Sequence, residues 1–366
     1  MGRRIDRLTI EGFKSIQKLE SFELRSLNVL IGANGAGKSN LVEFFRLLRA
    51  MADEGLTEFV NRGGGADQLL FLGPKETRAI RGHLIFGENE YRFELKTTVS
   101  NEMVIEEWVG YKGNWNLLST GSREPSLKRR KDDRGRSGAR HGVPFHVYES
   151  VSSWLVYHFH DTTSSAPMRR DHSVHDKSPL REDASNIAPF LLHLQMHWRS
   201  IYELIRDTIR LIAPFFDDFR FEVRHMGNDQ NLRLEWTQKG SDFPFQPWHL
   251  SDGTIRFICL ATALLQPSPP ATMIIDEPEL GLHPHALEIL AGLIRKAAGR
   301  TQVVVSTQSV PLLSQFEPDD VVVVSRKAGA SHFDRLNTAS LAEWLEEYSL
   351  GELWQKNFVE AGPVHE

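Results

Sequence analysis

The chain has 366 residues, 40% of them apolar and 25% charged, and a net charge of −5. That length exceeds one ordinary core, so two lobes are expected, and the acidic balance excludes nucleic-acid binding driven by bulk positive charge. No apolar run nears the ~20 residues of a bilayer span, the basic N-terminus lacks the apolar core of a leader, and the single Cys259 permits no disulfide within the chain, so no membrane association and a reducing cytoplasm are expected.

In chain order, Ile5, Leu8 and Ile10 alternate ahead of Gly12 and predict an entry strand. The apolar run Leu27-Asn28-Val29-Leu30-Ile31 predicts a buried strand, and residues 40–51 carry Leu41, Phe44, Phe45, Leu47 and Leu48 at helical spacing. Between them stands Gly32-Ala33-Asn34-Gly35-Ala36-Gly37-Lys38-Ser39, which matches G-x-x-x-x-G-K-[ST] in the strand–loop–helix setting that this motif needs. The backbone from Asn34 through Gly35, Ala36 and Gly37 to Asn40 is expected to close around phosphates, helped by the positive end of the helix. Lys38 would reach the β- and γ-phosphates of ATP, and Ser39 would ligate Mg²⁺.

A loop at Gly63-Gly64-Gly65 precedes Gln68, and residues 83–109 then alternate with period two, which predicts an antiparallel meander. Residues 122–140 hold eight Lys or Arg against three acids without periodicity, which predicts a solvated loop. The basic stretch 123–140 can equally contact DNA phosphates, and with no aromatic residues interleaved it is not built to stack single strands. Arg169 and Arg170 add cations. Trp154–Phe159 reads as a strand, residues 187–198 and 200–212 as helices, and 219–223 and 231–236 as strands. Trp154, Trp198, Trp236 and Trp248 are expected as core or interface anchors. His158, His160, His172 and His175, with Asp161 and Asp176, have borderline metal spacing and no Cys partner, so polar packing or subunit contact is the preferred reading.

The distal motif is Thr272-Met273-Ile274-Ile275-Asp276-Glu277-Pro278-Glu279, an apolar strand that delivers two carboxylates at its carboxyl end, where α/β sheets bind ligands. Asp276 would hold Mg²⁺, Glu277 would orient or deprotonate the attacking water, and Glu279 reads as a helix-start charge or ion-pair partner. About two-thirds of the chain separates Lys38 from Asp276, which predicts a split ATPase head with a large insertion. Ahead of the acids, Leu250-Ser251-Asp252-Gly253-Thr254 opens an apolar helix; Ser251, Asp252 and Gly253 form an anion site there, or Ser251 is an ordinary N-cap. Gln302–Val305 reads as a strand, followed by Ser306-Thr307-Gln308-Ser309.

These residues resemble a RecF/SMC-type ABC ATPase, and more closely the bacterial AAA-type "predicted ATPases". The resemblance extends to Ile10-Glu11-Gly12-Phe13-Lys14-Ser15, to Tyr157-His158-Phe159-His160-Asp161-Thr162 in the insertion, and to Leu341–Leu345 and Leu350–Trp354. It implies an α/β P-loop NTPase of the ABC-ATPase head type, with an antiparallel β subdomain and an inserted helical lobe. Residues 1–120 and 246–366 would form the two halves of the head, and 121–245 the insertion. It also implies a Ser251 signature that meets nucleotide held by a second subunit, a loop at Leu280–Pro284 that crosses that interface, and a Mg²⁺/water-sensing role for Gln68. The switch position, usually His in such proteins, is Gln308, which hydrogen-bonds but carries no proton or charge. The implied function is an ATPase homodimer, or a higher homo-oligomer, that gates action on DNA or on a partner nuclease or effector in DNA repair or anti-phage defence. The alternative is a slowly hydrolysing ATP-bound scaffold for a nuclease or toxin. A transporter ATPase fits the opening segment and insertion poorly, and a nucleotide kinase has no use for the Ser251 motif. No coiled-coil arm is present, and the residues beyond Val324 are too few and too poor in clustered acids for an intrinsic nuclease.

Overall fold

The computed structural model describes residues 2–133, 141–226, 229–356 and 358. The chain enters through the antiparallel pair β1 (Arg7–Phe13) and β2 (Ile16–Glu23), in which alternation buries Leu8 and Ile10. Strand β3 (Leu27–Ile31) is buried at every position, as a continuous apolar run in a parallel sheet should be. Helices α1 (Lys38–Ala52) and α2 (Leu56–Arg62) follow, then the meander β4 (Ala79–Phe86), β5 (Asn89–Thr97), β6 (Met103–Tyr111) and β7 (Asn114–Ser122), one strand longer than its period-two signal. After α3 (Leu127–Arg130) and α4 (Val143–Ser152) comes β8 (Leu155–Tyr157), then β9 (His172–Ser173), α5 (Ile187–His197) and α6 (Arg199–Ile212). Short strands β10 (Phe216–Arg220), β11 (Arg224–Met226), β12 (Asp229–Leu232) and β13 (Glu235–Gln238) lead to α7 (Asp252–Leu265), β14 (Thr272–Asp276), α8 (Pro284–Ala298) and β15 (Gln302–Thr307). The chain continues as α9 (Val310–Leu313), β16 (Val321–Lys327), β17 (Ala330–Arg335), α10 (Thr338–Leu345) and α11 (Leu350–Gln355).

Two compact units result. The first comprises Met1–Val156, Pro270–Ile274 and Thr301–Glu366. It holds an antiparallel sheet of order β2-β1-β4-β5-β6-β7 and a mixed sheet of order β17-β16-β3-β15-β14-β8, from which β14 and β8 run on past the unit's limits at Ile274 and Val156. Strand β3 is parallel to both β15 and β16. Helix α1 buries an aromatic face: Phe44 lies 5.4 Å from Phe13 and 6.2 Å from Phe93, and Phe45 meets Trp154 edge-on at 5.6 Å. Trp154 is thus a core anchor.

The second unit comprises Tyr157–Pro269 and Ile275–Arg300. Helix α7 is apolar nearly all round and packs between α6 and α8, as a helix at the centre of a lobe must. Cys259 on α7 is fully buried, and burial pushes its thiol well above the ordinary range, so it remains an inert thiol. Trp236 stacks with Phe216 and Phe245, while Trp198 and Trp248 are about half exposed and so are not core anchors.

Three expectations are corrected. The strand expected at 231–236 divides, because β12 pairs with β11 and β9 whereas β13 pairs with β10, and Arg233 at the changeover is tied to Asp171. The strand expected at 219–223 is β10, which stops at Arg220. Nor is the basic segment a free loop where it is described. Leu127 is buried, Arg123 pairs with Glu102, Arg129 with Glu54 and Arg130 with Asp133, so an apolar anchor and acids drawn mostly from earlier in the chain order it. Residues 134–140 lie outside the described residues.

Gln302 is the buried polar hub of the first unit. Its Nε2 donates to the carbonyls of Ile5 at 2.8 Å and Leu24 at 3.0 Å, while its Oε1 accepts from Ile5 N and from Thr272 Oγ1. Gln302→Leu leaves these buried groups without partners, each worth about 1–3 kcal/mol. Urea unfolding of the variant is expected to show a loss of at least ~2 kcal/mol.

Candidate nucleotide site

The glycine loop of the first unit is shaped by close packing. Gly37 precedes α1 at φ 116°, and a Cβ there would collide with Ser331 Oγ and Ser15 Oγ; a Cβ on Gly32 would strike the Val324 carbonyl. Only glycine fits such positions. Ser15, in the turn between β1 and β2, and Ser331 on β17 share a hydrogen bond of 2.6 Å. Ser331 Oγ donates to the Ala36 carbonyl at 2.6 Å, and Asn40 Nδ2 donates to Ser15 Oγ at 2.5 Å. The Gly12-Phe13-Lys14-Ser15 segment is therefore a brace for the loop, and Lys14 is held over α1 by an ion pair with Glu43. Arg326 donates to the Gly35 carbonyl at 3.2 Å, a contact the sequence reading lacked. Asn34, Gly35 and Ser39 are exposed along the loop while Ala36 is buried. Lys38 is buried, and its Nζ donates to the carbonyls of Gly32 at 2.6 Å and Ala33 at 3.2 Å. This curls the ammonium over the loop, where anionic oxygens would compete with the carbonyls for its protons.

In the same unit Gln68 is exposed in the 3₁₀ turn Ala66–Leu69, and Gln308 is exposed just beyond β15. The Ser309 hydroxyl caps the following turn by accepting from Leu312 N.

The second unit holds the other motif residues. Asp276 ends β14 and is 9% exposed. Glu277 follows with φ 44°, a conformation that costs a residue with a side chain of the order of 1 kcal/mol or more and is concentrated at functional sites. Ser251 caps α7 by accepting from Thr254 N at 3.1 Å. Gly253 lies so close to the Gly281 carbonyl that a Cβ would overlap it, and Gly281 itself has φ 71°. This approach joins the Ser251 segment to the loop after the acids, and Ser251, Gly253, Thr254, Gly281, Leu282 and His283 line a cleft of about 180 Å³.

Two arginines fix these pieces. Arg169, 5% exposed, donates Nε to the Thr162 carbonyl at 2.9 Å and a further N–H to the Leu250 carbonyl at 3.3 Å, and pairs with Asp252 at 2.9 Å. It is a buried structural cation, so of the two cations read at 169 and 170 this one is engaged within the chain. Arg256 on α7, 6% exposed, donates to the carbonyls of Phe159 at 2.8 Å, His160 at 3.1 Å and Leu280. One guanidinium thus ties α7, the 158–160 segment and the loop after Glu277, because its five donors can serve several carbonyls at once.

The structure brings together two histidines that the sequence alone did not connect to the acids. His160 Nε2 donates to the Asp276 carbonyl at 3.0 Å, and the His158 and His160 rings stack with centroids 4.0 Å apart. His172 and His175 do not join them. The signal was the His-x-His spacing, whose partner is 116 residues away.

Arg256→Met keeps much of the stem's apolar volume but strands three carbonyls. Thermal unfolding is expected to drop by several degrees, and hydrogen exchange across 158–162 and 279–283 to quicken; unchanged exchange in both segments would remove Arg256 from its clamping role.

Comparison with solved structures gives an SMC head bound to the C-terminal winged-helix domain of ScpA, at 16% identity with a TM-score of 0.56, covering 93% of this chain and 99% of that one. It also gives an SMC head with an extended coiled coil bound to the C-terminal domain of ScpA derived from Pyrococcus furiosus, at 16% identity and 0.52, covering 94% and 99%. At such identity the likeness concerns the fold alone, which is that of an SMC head. No curated protein sequence matches the chain. The model of the family described as "AAA domain, putative AbiEii toxin, Type IV TA system" matches residues 27–314, from the first residue of β3 to just past α9. The chain belongs to this AAA-domain family, and its fold is like that of the SMC heads.

Proposed function

We propose that the protein binds and hydrolyses ATP, that ATP closes two copies on one another, and that closure gates a partner effector or DNA. The observation that carries this reading is the braced glycine loop, in which Gly37 and Gly32 leave no room for side chains and Lys38 is held over the loop by two of its carbonyls. Backbone N–H groups from Asn34 to Asn40 bind the phosphates, and Lys38 exchanges its carbonyl partners for β- and γ-phosphate oxygens.

The Ser39 hydroxyl in the first unit is a hard oxygen donor of the kind Mg²⁺ takes, as is the Asp276 carboxylate in the second, and each is a candidate ligand. Bound there, the ion supplies positive charge against the phosphate oxygens. Glu277 orients the attacking water and accepts its proton, and its left-handed backbone supports a fixed aim. Gln308 and Gln68 hydrogen-bond phosphate or water. Ser251, Asp252 and Gly253, lining the 180 Å³ cleft or beside it, present the surface that meets nucleotide on a second copy. A ligand shifts a closing equilibrium only through contacts made in the closed state, and these are the candidates. The SMC heads that share the fold were solved with ScpA domains bound. A partner protein is proposed here by that analogy, with DNA repair or anti-phage defence as the setting. The ion pairs along 123–133 reduce the charge available to DNA, which favours the protein partner. No helix among the described residues is long and apolar enough to cross a membrane.

A second reading, an ATP-held scaffold with negligible turnover, rests on Gln308, which cannot move a proton. Turnover per subunit measured against protein concentration, with and without linear duplex DNA, separates the two: a rate that rises with concentration supports the ATPase dimer, and a flat, near-zero rate with tight ATP binding supports the scaffold. Lys38→Ala is expected to weaken ATP binding at least 100-fold, whereas Glu277→Gln keeps binding and lowers turnover by about 100-fold or more, within the range for loss of a general base. Retained binding in the first variant, or normal turnover in the second, overturns the respective assignment. Ser251→Arg is expected to spare ATP binding and abolish ATP-driven dimerisation in analytical ultracentrifugation.

A further inference from the structure

The segment between β8 and the first helices of the second unit has a geometry that nucleotide binding does not account for. His158-Phe159-His160 alternates in burial: Phe159 is 3% exposed, His158 is exposed and His160 is half-buried. Alternation along an extended segment puts both imidazoles on the side opposite the Phe159 ring. The backbone is pinned on each residue, since His158 N donates to the Glu182 carbonyl at 3.0 Å and Arg256 donates to the carbonyls of Phe159 and His160. Strand β8 is the sheet neighbour of β14, and the two histidines converge on the residue that ends it. One ligand atom each from His158, His160 and Asp276 lies within 4.8 Å of the others. In a neutral ring, the hydrogen bond from His160 Nε2 to the Asp276 carbonyl leaves Nδ1 as the nitrogen with the lone pair. A backbone carbonyl that accepts from one ring nitrogen is the usual support for a metal-ligating histidine, because it fixes tautomer and ring orientation.

We propose that His158, His160 and Asp276 form a binding site for a divalent transition-metal ion, of the Zn²⁺, Mn²⁺ or Fe²⁺ class, that fills without nucleotide. Two imidazoles and one carboxylate with no thiolate make an N₂O set, which suits these ions over Mg²⁺, whose preference is for oxygen. The exposed His158 leaves the site open on one side for water or a further ligand. Such an ion would couple the 158–160 segment to the acidic end of β14 more firmly than the His160 hydrogen bond does by itself. Asp276 is also the residue proposed above for Mg²⁺, but the site itself does not depend on ATP binding.

The test is titration of the full, metal-stripped chain with Zn²⁺ by calorimetry and with Co²⁺ by visible absorption, both without nucleotide, with a fluorescent ATP analogue titrated in parallel. One equivalent of Zn²⁺ per chain is expected, with Mg²⁺ in millimolar excess failing to displace it. His158→Ala and His160→Gln should each weaken it by about 10-fold or more, as even loss of a supporting contact does at metal sites. His172→Ala and His175→Ala serve as controls and should leave it unchanged. His158 is exposed, so its variant keeps the test decisive even if His160→Gln unfolds. Absence of stoichiometric Zn²⁺ or Co²⁺ binding overturns the proposal, as does binding that survives the His158 variant. Failure of the ATP analogue to bind would overturn the nucleotide reading alone.

Discussion

The phosphate loop depends on a packing constraint that no side chain can satisfy. Gly37 turns into α1 with Ser15 and Ser331 pressed against its α-carbon, and Gly32 sits against the backbone of β16. Those contacts require β1, β2, β16 and β17 to be in place, so the loop is a product of the assembled first unit. The Ser15–Ser331 pair links residues 316 apart and fixes the loop through the Ala36 carbonyl and Asn40. Rigidity of this kind suits phosphate binding, because N–H groups already aimed at an anion need no reorganisation when it arrives.

The second unit solves a similar problem with charge. The Ser251 segment, residues 158–162 and the loop after Glu277 are irregular backbone, and irregular backbone leaves carbonyls without ladder partners. Arg169 and Arg256 supply the missing donors from within, each serving several carbonyls. Buried guanidinium groups are costly unless every donor is used, and here that cost is offset by the number of carbonyls each one satisfies. The arrangement also explains why a glycine at 253 is needed: the α7 start and the Gly281 carbonyl approach closer than any side chain allows.

The strong periodic signals were legible in the sequence. The run of β3, apolar at four of its five positions, the amphipathic pattern of α1 and the alternation in β4, β5 and β6 each follow from one face, or both, being buried. The short strands were less legible, because β12 and β13 change partners within one apolar–polar pattern, and the change is set by which strand lies alongside. The basic segment read as a solvated loop because its cations dominate the composition, while the acids that pair with them, Glu54 and Glu102, lie far back in the chain.

The sequence by itself determined the chemistry available: the glycine spacing with Lys38 and Ser39, the acids Asp276 and Glu277 at a strand end, and Ser251 at a helix start. Those are local patterns, carried by neighbours in the chain. Only the tertiary structure decided that Ser15 braces the loop, that Arg169 is a buried clamp and that His160 reaches the Asp276 carbonyl. Each of these links joins residues 116 or 316 positions apart, or depends on which side of a segment faces inward. Spacing cannot encode such contacts, because they arise only when the sheets and helices have packed.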